Sequence, residues 1–175
     1  MNKITLLAIL TLIIIVILVL MKENTKDSKD ILLKENSVIL AFGDSLTYGF
    51  GADNDFSYPK IMQKKTGLKI INAGVNGELS SEGLLRLPQL LEHKPDLVIL
   101  CHGGNDILQN SSSVLLKENL IQMIQLIKQS GVKVLLVGVP NFDIFGFGVN
   151  EVYAEVADAT GVLYEKRSIN KHCTK

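Results

Sequence analysis

Little in this sequence supports metal or redox chemistry. Its 175 residues hold two cysteines, Cys101 and Cys173, too few to argue for a disulfide framework. Cys101 lies inside an apolar run, where a thiol reads as core packing. The three histidines form no Cys/His pair at ligand spacing, so neither a structural zinc nor any other cofactor is expected. Charge excludes a further class: 18 basic residues balance 18 acidic ones, which leaves no electrostatic case for a nucleic-acid partner. There is no internal repeat and no low-complexity tract. Gly-x-Gly-x-x-Gly and Walker sequences are also missing, as is the acidic cluster of a phospho-receiver. A nucleotide-binding or receiver module is therefore the least favoured reading.

Apolar residues, by contrast, make up 47% of the chain, and the first of them form one long run. Residues 4–21 are apolar apart from Thr5 and Thr11, with Lys3 before them and Lys22 after. About 18 residues at helical rise cover roughly 27 Å, close to the hydrocarbon thickness of a bilayer. Every face of the run is apolar, which does not suit a helix packed on one side of a soluble core. No small-x-small cleavage site follows it. An uncleaved transmembrane anchor is expected over 1–22. Lys3 and the terminal amine favour a cytoplasmic N-terminus, and hence a domain on the exported, periplasmic or extracellular, side. Residues 23–36 read as a polar linker, and 37–175 as the globular domain.

Within the domain, short apolar runs alternate with helical periods. Strands are expected at 38–42, 69–73, 97–101 and 133–139, with the start of a fifth at 161–164. Between them, helices are expected at 58–65, from Ser80 or Ser81 to about Glu92, at 113–129 and at 151–160. Leu84, Leu85, Leu87, Leu90 and Leu91 should face inward from the second of these, and Val152, Val156 and Ala159 from the fourth. Strands apolar on both faces and alternating with helices indicate a three-layer α/β/α, doubly wound parallel sheet of order 2-1-3-4-5. In that order Ser45, Gly74 and Asn105 all lie just past the carboxyl ends of three neighbouring strands, where open α/β sheets bind ligands.

Ser45 is framed by glycines in Gly43-Asp44-Ser45-Leu46-Thr47-Tyr48-Gly49, directly after the first strand. It is a candidate nucleophile on a turn, with a backbone N–H free to meet an oxyanion. The plainer alternative is a helix cap, with Asp44 or Ser45 accepting from first-turn N–H groups. Asp44 and Asp106 read as caps or loop braces.

Two further stretches decide between these readings: Asn72-Ala73-Gly74-Val75-Asn76-Gly77 and Gly103-Gly104-Asn105-Asp106. With the Ser45 heptapeptide they resemble, in order and each after its own strand, the motif blocks of the GDSL-type SGNH ester hydrolases. The bacterial arylesterase, thioesterase and lysophospholipase branch is the most similar, and the resemblance covers about 37–164. It implies a flavodoxin-like sheet and Ser45 as nucleophile. It also implies an oxyanion hole of the Ser45 and Gly74 backbone N–H groups and the Asn105 amide. Such donors are worth about 3–4 kcal/mol each in a dry cleft. The implied substrate is an acyl-ester small molecule or lipid, with membrane contact through the N-terminal helix.

The family's last block, an Asp-x-x-His that supplies the base, has no counterpart. Ile169 stands three residues before His172, and no aspartate follows Asp158. The domain is therefore expected to be incomplete at its C-terminus, with His172, and less so His102, as weak substitutes for the base, while His93 reads as a solvated helix-end residue. Two readings follow: a membrane-anchored serine esterase of reduced or absent activity, or a non-catalytic pseudo-hydrolase that binds acyl or glycan ligands in the same cleft.

Overall fold

The computed structural model describes residues 31–53, 55–141 and 148–166. The expected anchor, the linker up to residue 30, His172 and Cys173 lie outside these residues. Strands β1 (Val38–Gly43), β2 (Lys69–Gly74), β3 (Leu97–Cys101), β4 (Lys133–Val137) and β5 (Leu163–Glu165) pair in parallel. Their order is β2-β1-β3-β4-β5, as the sequence predicts. The helices are α1 (Ser45–Tyr48), α2 (Tyr58–Thr66), α3 (Ser80–Leu91), α4 (Gly104–Leu108), α5 (Ser113–Gln129) and α6 (Val152–Thr160).

Position in the sheet explains the composition of each strand. β3 has a strand on either side, and all of Leu97–Cys101 is buried. β2 is an edge strand and tolerates exposed Lys69 and Asn72. Helices α3, α5 and α6 pack side by side, while α2 packs on β2. Right-handed crossovers put α2, which steps back from β1 to β2, on the opposite face from the three that step forward. Phe42, Leu87, Leu100, Leu120, Met123, Ile124, Ile127, Leu136 and Tyr153 are wholly buried. Burying each of the aliphatic ones stabilises the fold by about 1.5–3 kcal/mol.

The departures from expectation are local. α3 is not capped by a serine: its N-cap is Leu79, whose N–H donates to Glu82 Oε2 at 2.9 Å. Ser80 is instead its first residue and donates to the buried Asp106 carboxylate, which has more need of donors than the helix end. Leu85 is 83% exposed. It sits two residues from buried Leu87, roughly 200° away around the helix. On α6, Ala157 rather than Ala159 completes the buried side. The turns at Ser45 and Asn105 are each a single helical turn, α1 and α4. Ile31 and Leu33 pack against the core with Leu32 pointing out, so the chain already lies on the domain within the stretch read as linker.

Candidate active site

The strand register brings the three motif turns to one edge. Gly43, the last residue of β1, pairs with Gly74 of β2 on one side and Cys101 of β3 on the other. The chain after each leaves from the same carboxyl edge of the sheet. Asp44 joins two of the turns. Its Oδ1 accepts from Leu46 N at 3.0 Å and caps α1, while Oδ2 accepts from Gly103 N at 3.1 Å and Gly104 N at 2.7 Å. It is wholly buried and acts as the brace the sequence suggests. The cap is thus Asp44. Ser45 is the first residue of α1, half-buried, and among the described residues neither its N–H nor its hydroxyl has a hydrogen-bond partner.

Asn105 begins just inside α4, and its Nδ2 donates to the carbonyl of Glu78 at 2.9 Å. That single bond fixes the amide plane and leaves the second Nδ2 hydrogen for another acceptor. The segment around it is held at every step. The Tyr153 hydroxyl donates to the His102 carbonyl at 2.7 Å, Asp44 holds Gly103 and Gly104, and Asp106 accepts from Ser80 N and Oγ.

Gly74 differs from expectation. Its one N–H is spent on Asn72 Oδ1 at 3.0 Å. Its lack of a side chain has another cause: a Cβ there would lie 2.0 Å from Tyr48 N, so glycine lets α1 rest on the end of β2. The uncommitted N–H in this turn belongs to Gly77, which the sequence reading passed over. Gly77 has φ +78° with open space around its Cα, and among the described residues its N–H has no acceptor.

Beneath the turns lies a buried polar cluster that the sequence reading also missed. Glu78, 7% exposed, takes Arg86 Nε on one oxygen. Its other oxygen takes Arg86 Nη2 at 2.7 Å and lies 3.0 Å from His102 Nε2. Arg86 Nη2 also donates to the carbonyls of Gly43 and Ala73, and the guanidinium lies 4.4 Å from the Phe42 ring centre. Burial would raise the Glu78 pKa, but hydrogen bonds from His102 and Arg86 outweigh it, and the carboxyl stays below its ordinary range. The available signal was Arg86 itself, one guanidinium among the leucines of α3.

This cluster removes His102 from the list of substitute bases. Its ring is wholly buried, Nδ1 has no partner among the described residues, and Nε2 would clash with a Cβ at Gly83 on the overlying α3. His93 is exposed beyond the far end of α3. Burial, then the nearby Asp44 charge, pushes the Cys101 thiol up to about 12, so it is inert packing. Among the described residues no group of three or more metal-ligating side chains gathers. A cavity of about 350 Å³ lies between α4 and the start of α5, lined by Asp106, Ile107, Leu108, Ser111, Leu116 and Asn141 among others; neither Ser45 nor Asn105 lines it.

The fold and site together define a doubly wound α/β domain of the SGNH type, with a serine turn and an asparagine turn meeting at adjacent strand ends. Residues 41–167 match the GDSL-like lipase/acylhydrolase family, and the chain belongs to it. It is 37% identical over 113 residues to esterase TesA of Pseudomonas aeruginosa, covering 59% of this chain and 56% of that protein. It is 31% identical over 121 residues to the thioesterase 1/protease 1/lysophospholipase L1 of Escherichia coli K12, covering 67% and 58%. Among solved structures, the SGNH-hydrolase family esterase AlinE4 superposes with a TM-score of 0.66 at 30% identity, covering 76% of this chain and 77% of that one. A TesA crystal structure does so at 0.67 and 33%, covering 73% and 76%. The chain spans little more than half the length of the curated relatives it matches.

Proposed function

We propose that this domain is a serine ester hydrolase that acts on acyl esters or thioesters through an acyl-Ser45 intermediate. The observation that carries this reading is the Asp44 carboxylate, which ties the Ser45 turn to the Asn105 turn through Gly103 and Gly104. Attack by Ser45 Oγ on an acyl carbonyl would put charge on the carbonyl oxygen. The free Ser45 N–H, the second Asn105 Nδ2 hydrogen and the Gly77 N–H are the donors available for it. Gly74, expected in that role, would have to give up Asn72 first. The names of the relatives, esterase, arylesterase and lysophospholipase, support small-molecule or lipid esters. Anchoring through residues 1–22, with the domain on the exported side, belongs to the same proposal and rests on the apolar run alone.

A second reading has its own support. Neither described histidine is placed to take the Ser45 proton, since His102 is locked against Glu78 and His93 lies past the opposite end of α3. A domain without a base would bind acyl or glycan ligands in the same cleft without turning them over. A fluorophosphonate probe separates the two. The hydrolase reading expects covalent labelling of Ser45, lost in Ser45→Ala, together with hydrolysis of a chromogenic acyl ester. An unlabelled serine in a folded protein would leave only the binding reading.

A further inference from the structure

We propose that Glu78 is a positioning residue: clamped by Arg86 and His102, it sets the Asn105 amide and the Gly77 N–H for an incoming oxyanion. The inference rests on the hydrolase reading for its consequence, but its geometry stands apart from catalysis. Glu78 is the residue whose main-chain carbonyl holds Asn105 Nδ2, and its N–H begins the peptide next to Gly77. The turn containing both is weakly closed by its own backbone, with Glu78 N 3.4 Å from the Val75 carbonyl. A bond of that length fixes little. The carboxylate fixes far more: both of its oxygens are engaged by Arg86, and one is shared with His102.

Arg86 extends the same clamp to the other turns. Its Nη2 donates to the Gly43 carbonyl at 3.2 Å and the Ala73 carbonyl at 2.8 Å, the ends of β1 and β2. One guanidinium therefore registers the strand that leads to Ser45, the strand that leads to Gly77 and the acid that aims Asn105. His102 closes the ring from β3, its carbonyl held by Tyr153. A buried ion pair is a poor way to gain stability, because desolvation offsets most of its attraction. Its site under the three turns gives it a different use, preorganisation of donors that must not move as charge develops.

The test uses the full 175-residue chain, ¹⁵N-labelled at asparagine, with two readouts. One is the rate of Ser45 labelling by a fluorophosphonate, whose phosphoryl oxygen occupies an oxyanion hole, resolved into probe affinity and maximal rate. The other is the Asn105 side-chain amide pair in a ¹H–¹⁵N spectrum. In Glu78→Gln the maximal rate should fall about 100-fold with probe affinity unchanged, as misplacement of a catalytic donor predicts. The Asn105 pair should shift and exchange faster, and Glu78→Asp should restore part of both. A folded Glu78→Gln protein with an unmoved Asn105 pair overturns the proposal, as does labelling within about threefold of the parent protein. If the parent protein itself does not label, the hydrolase reading fails and the spectrum alone decides the positioning role. If Glu78→Gln does not fold, Arg86→Lys, which keeps the charge and loses the fork, takes its place under the same criteria.

Discussion

The crevice has two kinds of residue side by side. From His102 to Asp106 every residue is fastened to another element, and Asp44 has three N–H groups on its carboxylate. Ser45 and Gly77, a few bonds away, have an N–H with no acceptor among the described residues, and Ser45 has an idle hydroxyl. Tyr48 and Phe50, next along the chain from Ser45, are exposed as well, at 54% and 77%. The contrast shows how a site is preorganised. Under the proposed hydrolase reading, the Ser45 and Gly77 N–H groups stay uncommitted, Asn105 keeps one amide hydrogen uncommitted, and rigidity comes from neighbours whose bonding is complete.

The comparison breaks most readily at Asp44. Asp44→Ala would leave the half-buried Leu46 N–H and the buried N–H groups of Gly103 and Gly104 unpaired, and should cost about 3–5 kcal/mol in denaturant unfolding. Asp44→Asn, able to accept with one oxygen, should cost clearly less; equal losses would mean Asp44 does not join the turns. Gly74→Ala should come next, at about 1–3 kcal/mol, because its new methyl meets the backbone of α1. Gly77→Ala has open space and pays only for its left-handed backbone, about 1–2 kcal/mol, so the ordering of the two glycines in melting temperature is the check.

Two pH limbs sharpen the same contrast. Glu78, with its pKa lowered from 4.5, contributes stability above that value that is lost as pH falls through its lower folded one. Glu78→Gln should therefore flatten the acid limb of stability. Cys101, raised from 9.0 to about 12, contributes in the opposite sense: stability is full below pH 9.0 and declines between there and about 12. Cys101→Ala should shallow that alkaline decline, measured by unfolding across pH. The smallest stability change is expected at Ser45→Ala, within about 0.5 kcal/mol, since nothing described leans on its hydroxyl. A larger loss would show that the serine is structural after all.

Much of the fold was legible. The strand and helix periods, the parallel order and the bounds of α5 follow from local patterns of apolar residues, which depend on neighbours one to four positions away. Ser45 and Asn105 were singled out by the resemblance of three motif blocks, each following its own apolar strand. Gly77, Glu78 and Arg86 were not. Arg86 bonds to a carbonyl 43 residues away and Glu78 to a histidine 24 away, separations that no periodicity spans. Leu85 failed on a finer scale, because a leucine-rich helix offers more apolar residues than one face can bury.

By itself, then, the sequence determined that this chain builds a parallel α/β sheet with serine- and asparagine-bearing turns at its carboxyl edge. Binary patterning and strand order suffice for that. Only the tertiary structure decided which N–H groups in those turns remain free. Hydrogen bonds saturate: Gly74 loses its donor to Asn72 and His102 its ring to Glu78, while Gly77 keeps its own. Those outcomes depend on which partners the packed chain brings within about 3 Å.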